Sequence, residues 1–175
     1  MKNNNSEKVS KLIKESSGFK QTSDLIKAEN SLKEALKIEP NNFIVLNNLG
    51  NIYSAKNDLL KAKIFFSRAI SIKKNYSNAI FNLALTNEEM GNKDVAIKLY
   101  KNAIKFDPNN LGFYYNLSRI DESTFSTVNI DHIKKVLGNK DCSNFNKSSG
   151  FFILAQDQRR KKNLKEEFQH LVQAH

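Results

Sequence analysis

Apolar residues recur three and four positions apart along most of the chain, in stretches separated by short polar breaks. Over 79–90 and 93–106 this spacing lines the apolar side chains along one face of each of two helices. The polar Gly91-Asn92 between them predicts a tight turn, so the pair reads as a helix hairpin. The pattern also repeats every 34 residues: Leu49-Gly50 returns as Leu83-Ala84 and Leu117-Ser118, Ala62 as Ala96, Phe66 as Tyr100, and Ala69 as Ala103. One period earlier stand Ala28, Leu32 and Ala35, followed by Pro40 as Pro108 follows Ala103. Such a period marks one supersecondary unit stacked on copies of itself, because a lone hairpin cannot bury both of its faces.

Each recurring position has a physical task. The small residues Gly50, Ala62, Ala84 and Ala96 let the two helices of a hairpin approach closely, and Leu32, Phe66 and Tyr100 are expected to fill the layer between neighbouring hairpins. Pro40 and Pro108 should end the second helix of their units, since a proline pushes the preceding residue out of helical geometry and lacks a backbone donor.

With these positions in place, 43–71 and 78–109 resemble the tetratricopeptide repeat, whose pattern asks for a large residue, Leu-Gly, Tyr, Ala, an aromatic, Ala and Pro. Lys74 replaces the closing proline of the second unit and Asn87 the tyrosine of the third. The resemblance implies an all-α fold, a right-handed α-solenoid of stacked antiparallel helix hairpins, as one domain over 1–175. The expected units are 6–40, with a degenerate first helix and Leu12, Ile13 and Phe19 as core contacts; 43–76; 77–110; and a partial unit at 111–124, which breaks from Asp121 onward. The spacing of Ile130, Ile133, Val136 and Leu137, with Gly138 as a stop, predicts a short helix at 129–137. A polar linker at 139–149 and a degenerate unit at 150–175 complete the chain; there Leu154-Ala155, Leu171 and Ala174 regain the register while Glu167 occupies an alanine position.

Composition narrows the classes of function. The length of 175 residues fits one domain, and no apolar run approaches the ~18 residues of a membrane span. The opening MKNNNSEKVSK has no apolar core of a signal peptide, so a soluble, cytoplasmic protein is expected. A single cysteine, Cys142, forms no internal disulfide, and His132, His170 and His175 stand apart, so neither metal nor cofactor is expected. The net charge of +10 raises nucleic acid or an acidic surface as a partner. Against this, the charge is mostly scattered lysine, and only Arg159-Arg160-Lys161-Lys162 forms a basic cluster.

Nothing in the sequence assembles a catalytic constellation: there is no phosphate-binding glycine loop, no G-x-S-x-G elbow and no H-E-x-x-H. The chain therefore reads as a binding scaffold for a protein or peptide rather than an enzyme. Its informative polar feature is an asparagine ladder, Asn48, Asn82 and Asn116, at one repeat position 34 residues apart. The family resemblance implies that this position faces the concave groove lined by the first helices. A side-chain amide has both donors and an acceptor, so a row of them suits the backbone of an extended peptide. Asn47, Asn51, Phe81, Tyr115 and Arg119 are expected on or beside the same surface. The family's carboxylate clamp needs lysine where this chain has Asn47, Phe81 and Tyr115, so that specificity is not expected. The segment 111–174 also resembles, through weak motifs, the repeat segment of tetratricopeptide-containing sulfotransferases, which implies as an alternative the non-catalytic front part of such an enzyme. Apolar faces on terminal hairpins allow self-association.

Overall fold

A computed structural model describes residues 2–121 and 130–174. These residues form ten helices and no strand, as the periodicity requires: α1 Lys2–Gln21, α2 Leu25–Ile38, α3 Phe43–Ala55, α4 Leu59–Ile72, α5 Ser77–Glu89, α6 Lys93–Phe106, α7 Leu111–Ile120, α8 Ile130–Leu137, α9 Asn144–Arg160 and α10 Leu164–Ala174. Where length favours one domain, the contacts gather into two compact units, Met1–Ala96 and Ile97–His175.

In the first unit α1 pairs with α2 and α3 with α4, while α2 meets α3 and α4 meets α5. One turn geometry closes these hairpins. Ser23, Asn57 and Gly91 have φ of 61°, 60° and 81°, the left-handed conformation that stops a helix. Around each, the next residue donates its N–H across the helix end, Asp24 to Phe19, Asp58 to Tyr53 and Asn92 to Asn87, all at 2.8 Å. That next residue then opens the following helix: Asp24 and Asp58 accept from the N–H groups of Lys27 and Lys61 at 3.1 Å. Only the third turn uses glycine, so the glycine signal alone identifies one turn of three.

A second geometry links one hairpin to the next. Asn42 donates to the Glu39 carbonyl and Tyr76 to the Lys73 carbonyl, both at 3.1 Å, closing four-residue turns with Pro40 and Lys74 at the same place. Glu39 and Lys73 share nearly one backbone conformation, φ −127° ψ 84° and φ −122° ψ 92°. The departure at Lys74 thus leaves the turn unchanged. Because Lys73 already has the extended geometry a following proline demands, Lys74→Pro should raise stability by about 0.4–1 kcal/mol through the unfolded chain. A melting temperature that falls in thermal circular dichroism would contradict this account of the turn.

In the core of the first unit Phe66 serves its own hairpin as well as the layer toward the hairpin before it. Phe66 lies over Gly50 of its own hairpin, in a cluster with Leu32, Leu49, Ile52, Tyr53 and Ala62. The layer between α4 and α5 also draws on Leu46, Ala69 and Ala79, with Phe65, Ile70 and Tyr76 packed against them. The first helix is less degenerate than its sequence suggests. Val9, Leu12 and Ser16 are buried and Phe19 half-buried, one period before Phe43, Leu46, Gly50 and Tyr53. Of the predicted contacts, Leu12 is in the core and Ile13 and Phe19 border it.

In the second unit α9 pairs with α10 and also packs against α7 and α8. The predicted break falls mostly on 122–129, outside the described residues, as does the predicted first residue of α8. The expected linker 139–149 is helical from Asn144, because Ser143 caps α9 by accepting from the Asn146 N–H at 3.2 Å. The polar residues that suggested a linker serve close packing: Ser149 and Gly150 are buried, and a Cβ on Gly150 would lie 2.8 Å from both Leu111 and Leu137. Asn146 also accepts from the Leu111 N–H at 2.9 Å, capping α7 from another helix. The last hairpin repeats the turn of the first unit, with Lys162 at φ 59° and Asn163 donating to Gln158 at 3.0 Å.

Candidate binding cleft

The helices α1, α3 and α5 stand one repeat apart, so residues 34 positions apart recur on the same face. Ser16, Gly50 and Ala84 are buried, and Ser17, Asn51 and Leu85 lie beside them. Small buried side chains at the first column leave room for a surface recess over the second.

Two adjoining recesses follow this face. The first, about 420 Å³, is lined by Ser16, Ser17, Lys20 and Gln21 of α1 with Asn48, Asn51 and Ile52 of α3. The second, about 260 Å³, is lined by Lys20, Asn51, Ser54, Ala55, Phe66, Asn82, Leu85 and Glu89. Lys20 and Asn51 line both, so the two recesses adjoin along α1, α3 and α5 and form a cleft with a cation and a carboxylate among its walls.

Its amides are partly organised by one another. Asn82 Nδ2 donates to Asn47 Oδ1 and to Asn51 Oδ1, each at 3.0 Å. Two donors of one amide therefore tie α5 to successive turns of α3. Asn48 lines the first recess and forms no hydrogen bond among the described residues, so its amide is available to a ligand there.

The structure brings Asn48, Asn51 and Asn82 together but treats the other expected residues differently. Asn47 is only 5% exposed, so it supports the cleft from below rather than lining a groove as expected. Phe81 is half-buried on α5 and lines neither recess. In the second unit, Asn116 donates to the Gly112 carbonyl of its own helix at 2.8 Å, and Tyr115 packs its ring 5.6 Å from that of Phe152 on α9. Arg119 is exposed on α7. The contributions of α1, Ser16, Ser17, Lys20 and Gln21, were missed, although Ser17 stands one period before Asn51 and Lys20 one before Ser54.

Elsewhere the polar groups have structural work. Arg159 donates from Nε to the buried Glu167 at 2.6 Å, and Lys161 to Asp157 at 2.7 Å, so both neutralise carboxylates of their own hairpin. That explains how Glu167 tolerates an alanine position. His132 Nε2 donates to the Pro108 carbonyl at 2.9 Å. Among the described residues no group of His, Cys, Asp or Glu is arranged to hold a metal ion, and no helix is long and apolar enough to cross a membrane.

Comparison with known proteins agrees with this architecture. Two family models, both described as tetratricopeptide repeat, match residues 31–64 and 77–110. Residues 31–64 and 77–110 thus match tetratricopeptide repeats, and the chain has the helical fold of that class. The first TPR of Spaghetti (RPAP3), bound to the HSP90 peptide SRMEEVD, superposes with a TM-score of 0.63 at 16% identity, over 68% of this chain and 94% of that one. A crystal structure of MamA does so with a TM-score of 0.63 at 20% identity, over 91% of each chain. The Sgt2 TPR domain from Aspergillus fumigatus gives 0.62 at 25% identity, over 68% of this chain and 80% of its own. No curated protein matches the chain. The resemblance of 111–174 to a sulfotransferase repeat segment finds no support in these likenesses.

Proposed function

We propose that the chain is an interaction scaffold and that the cleft of α1, α3 and α5 holds an extended segment of a partner protein. The observation that carries this reading is that the two recesses adjoin, with Lys20 and Asn51 lining both. A chain-like ligand fits a long open trough lined by amides and hydroxyls, whereas a compact small molecule favours an enclosed, mostly apolar pocket. Amides satisfy main-chain donors and acceptors whatever the partner's side chains are. Peptide binding by the similar first TPR of Spaghetti, which holds the HSP90 peptide SRMEEVD, agrees with this use of the fold.

The test is selection of peptides from a random display library on the folded chain, followed by fluorescence anisotropy. For the best peptide, combined Lys20→Ala and Asn48→Ala should weaken binding about tenfold or more, the equivalent of one or two lost hydrogen bonds. Undiminished affinity in a variant of native circular dichroism would place binding elsewhere.

A further inference from the structure

We infer that the buried Asn47 is the positioning residue of this cleft: by fixing the amide of Asn82 it sets which polar atoms the cleft offers, and so selects the main chain of an extended polypeptide as the element recognised. The inference rests on the reading of the cleft given above and deepens it. An asparagine amide is nearly symmetric in shape, and only its partners decide which end is oxygen. Asn82 has its nitrogen end engaged twice, by Asn47 Oδ1 and Asn51 Oδ1. Its Oδ1 is then the atom left to a ligand, as an acceptor. Asn51, whose Oδ1 is taken by Asn82, presents its own amide nitrogen as a donor.

The second recess is lined by both residues, so it offers one acceptor and one donor from adjacent helices. A peptide unit supplies the complementary pair, an N–H for Asn82 and a C=O for Asn51. A lone carboxylate has acceptors only and leaves Asn82 unmatched. Asn47 itself, being buried, does not touch the ligand. Its part is to remove the alternative in which the Asn82 amide turns over and presents donors to the cleft.

Two substitutions separate positioning from packing. Asn47→Leu keeps the number and branching of the side-chain heavy atoms and removes the acceptor; Asn47→Asp keeps an acceptor at the same reach. The probe is the best peptide from the display selection, acetylated and amidated so that it has no terminal charge. Side-chain amide exchange at Asn82, followed by NMR, reports the network without any ligand. In Asn47→Leu the Asn82 N–H groups should lose protection and the peptide should bind about five- to tenfold more weakly, the loss of one oriented hydrogen bond. Asn47→Asp should retain both within about threefold. Retained protection in Asn47→Leu overturns the inference outright, as does unchanged affinity for a peptide that Asn48→Ala still weakens. A peptide indifferent to Asn48→Ala instead removes the cleft reading, and the positioning role falls with it even when Asn82 responds.

Discussion

Gly50→Ala is expected to destabilise the protein by about 1–3 kcal/mol, although alanine is the better helix former. In the middle of α3 the exchange gains up to ~1 kcal/mol of intrinsic helix propensity. The structure sets a larger cost against it. A Cβ on Gly50 would stand 2.4, 2.6 and 2.8 Å from Cε1, Cδ1 and Cζ of Phe66, where ordinary contact needs more than 3 Å. The ring cannot swing away freely, because Phe66 is 1% exposed among Leu49, Ile52 and Ala62. Overpacking of this kind forces side chains off their rotamers or moves the helices apart. A double-mutant cycle identifies the cause. Phe66→Leu, which withdraws the ring, should cost stability alone yet be nearly tolerated beside Gly50→Ala, giving a coupling of about 1 kcal/mol or more. Strictly additive effects in thermal or chemical unfolding would rule out the ring contact as the reason for glycine.

The same contact shows what a repeat pattern reveals and what it hides. The 34-residue spacing located Gly50 and Phe66 correctly and required that both be buried, because only a small and a large residue recurring in step fit closely packed hairpins. It did not say which helix the ring covers. Position in a repeat fixes the face of a helix, whereas the rotamer that sends Phe66 onto its own hairpin depends on three-dimensional packing. The turns were legible where glycine marked them, at Gly91, and not where Ser23, Asn57 or Lys162 adopts the same left-handed conformation. The start of α9 was hidden for a related reason: Asn144 to Ser149 is polar by composition, and the cap from Ser143 and the close approach at Gly150 outweigh that bias. In the cleft, the ladder spacing found Asn48 and Asn82. No sequence signal shows that Asn82 bonds Asn47 rather than facing outward alone, since that depends on the separation of α3 and α5.

Glu29 is the other residue whose weight only the structure shows, and its replacement should make stability less sensitive to acid. It sits on α2, 9% exposed, where burial by itself raises a carboxyl pKa. Hydrogen bonds from Lys33, Lys56 and Tyr53 outweigh burial and bring it down from 4.5 to about 2. Tyr53 donates its hydroxyl at 2.6 Å and Lys33 its ammonium at 2.6 Å, while Lys56 bonds the other oxygen. Tyr53 and Lys56 follow from the second hairpin, so the ionised carboxylate ties α2 to α3. Tyr53 remains a donor at neutral pH, since burial and then the bond to Glu29 raise its own pKa. A carboxyl that is more acidic folded than unfolded contributes stability fully above its unfolded pKa, and loses it as pH falls toward the folded value. The window here runs from about pH 5 down to about pH 2. Solvent around Lys33, 52% exposed, weakens that pair, so about 2 kcal/mol at pH 7 is expected for Glu29→Gln. Asp24, held acidic by bonds from Lys27, titrates in wild type and variant alike and cancels in the comparison; Asp58, held acidic chiefly by bonds from Lys61, feels the Glu29 charge as the least of the influences on it and nearly cancels. Urea unfolding at several pH values should therefore show the difference between wild type and Glu29→Gln shrinking steadily below pH 5 and vanishing near pH 2. A difference that stays constant across that window would mean that Glu29 acts by shape and not by charge.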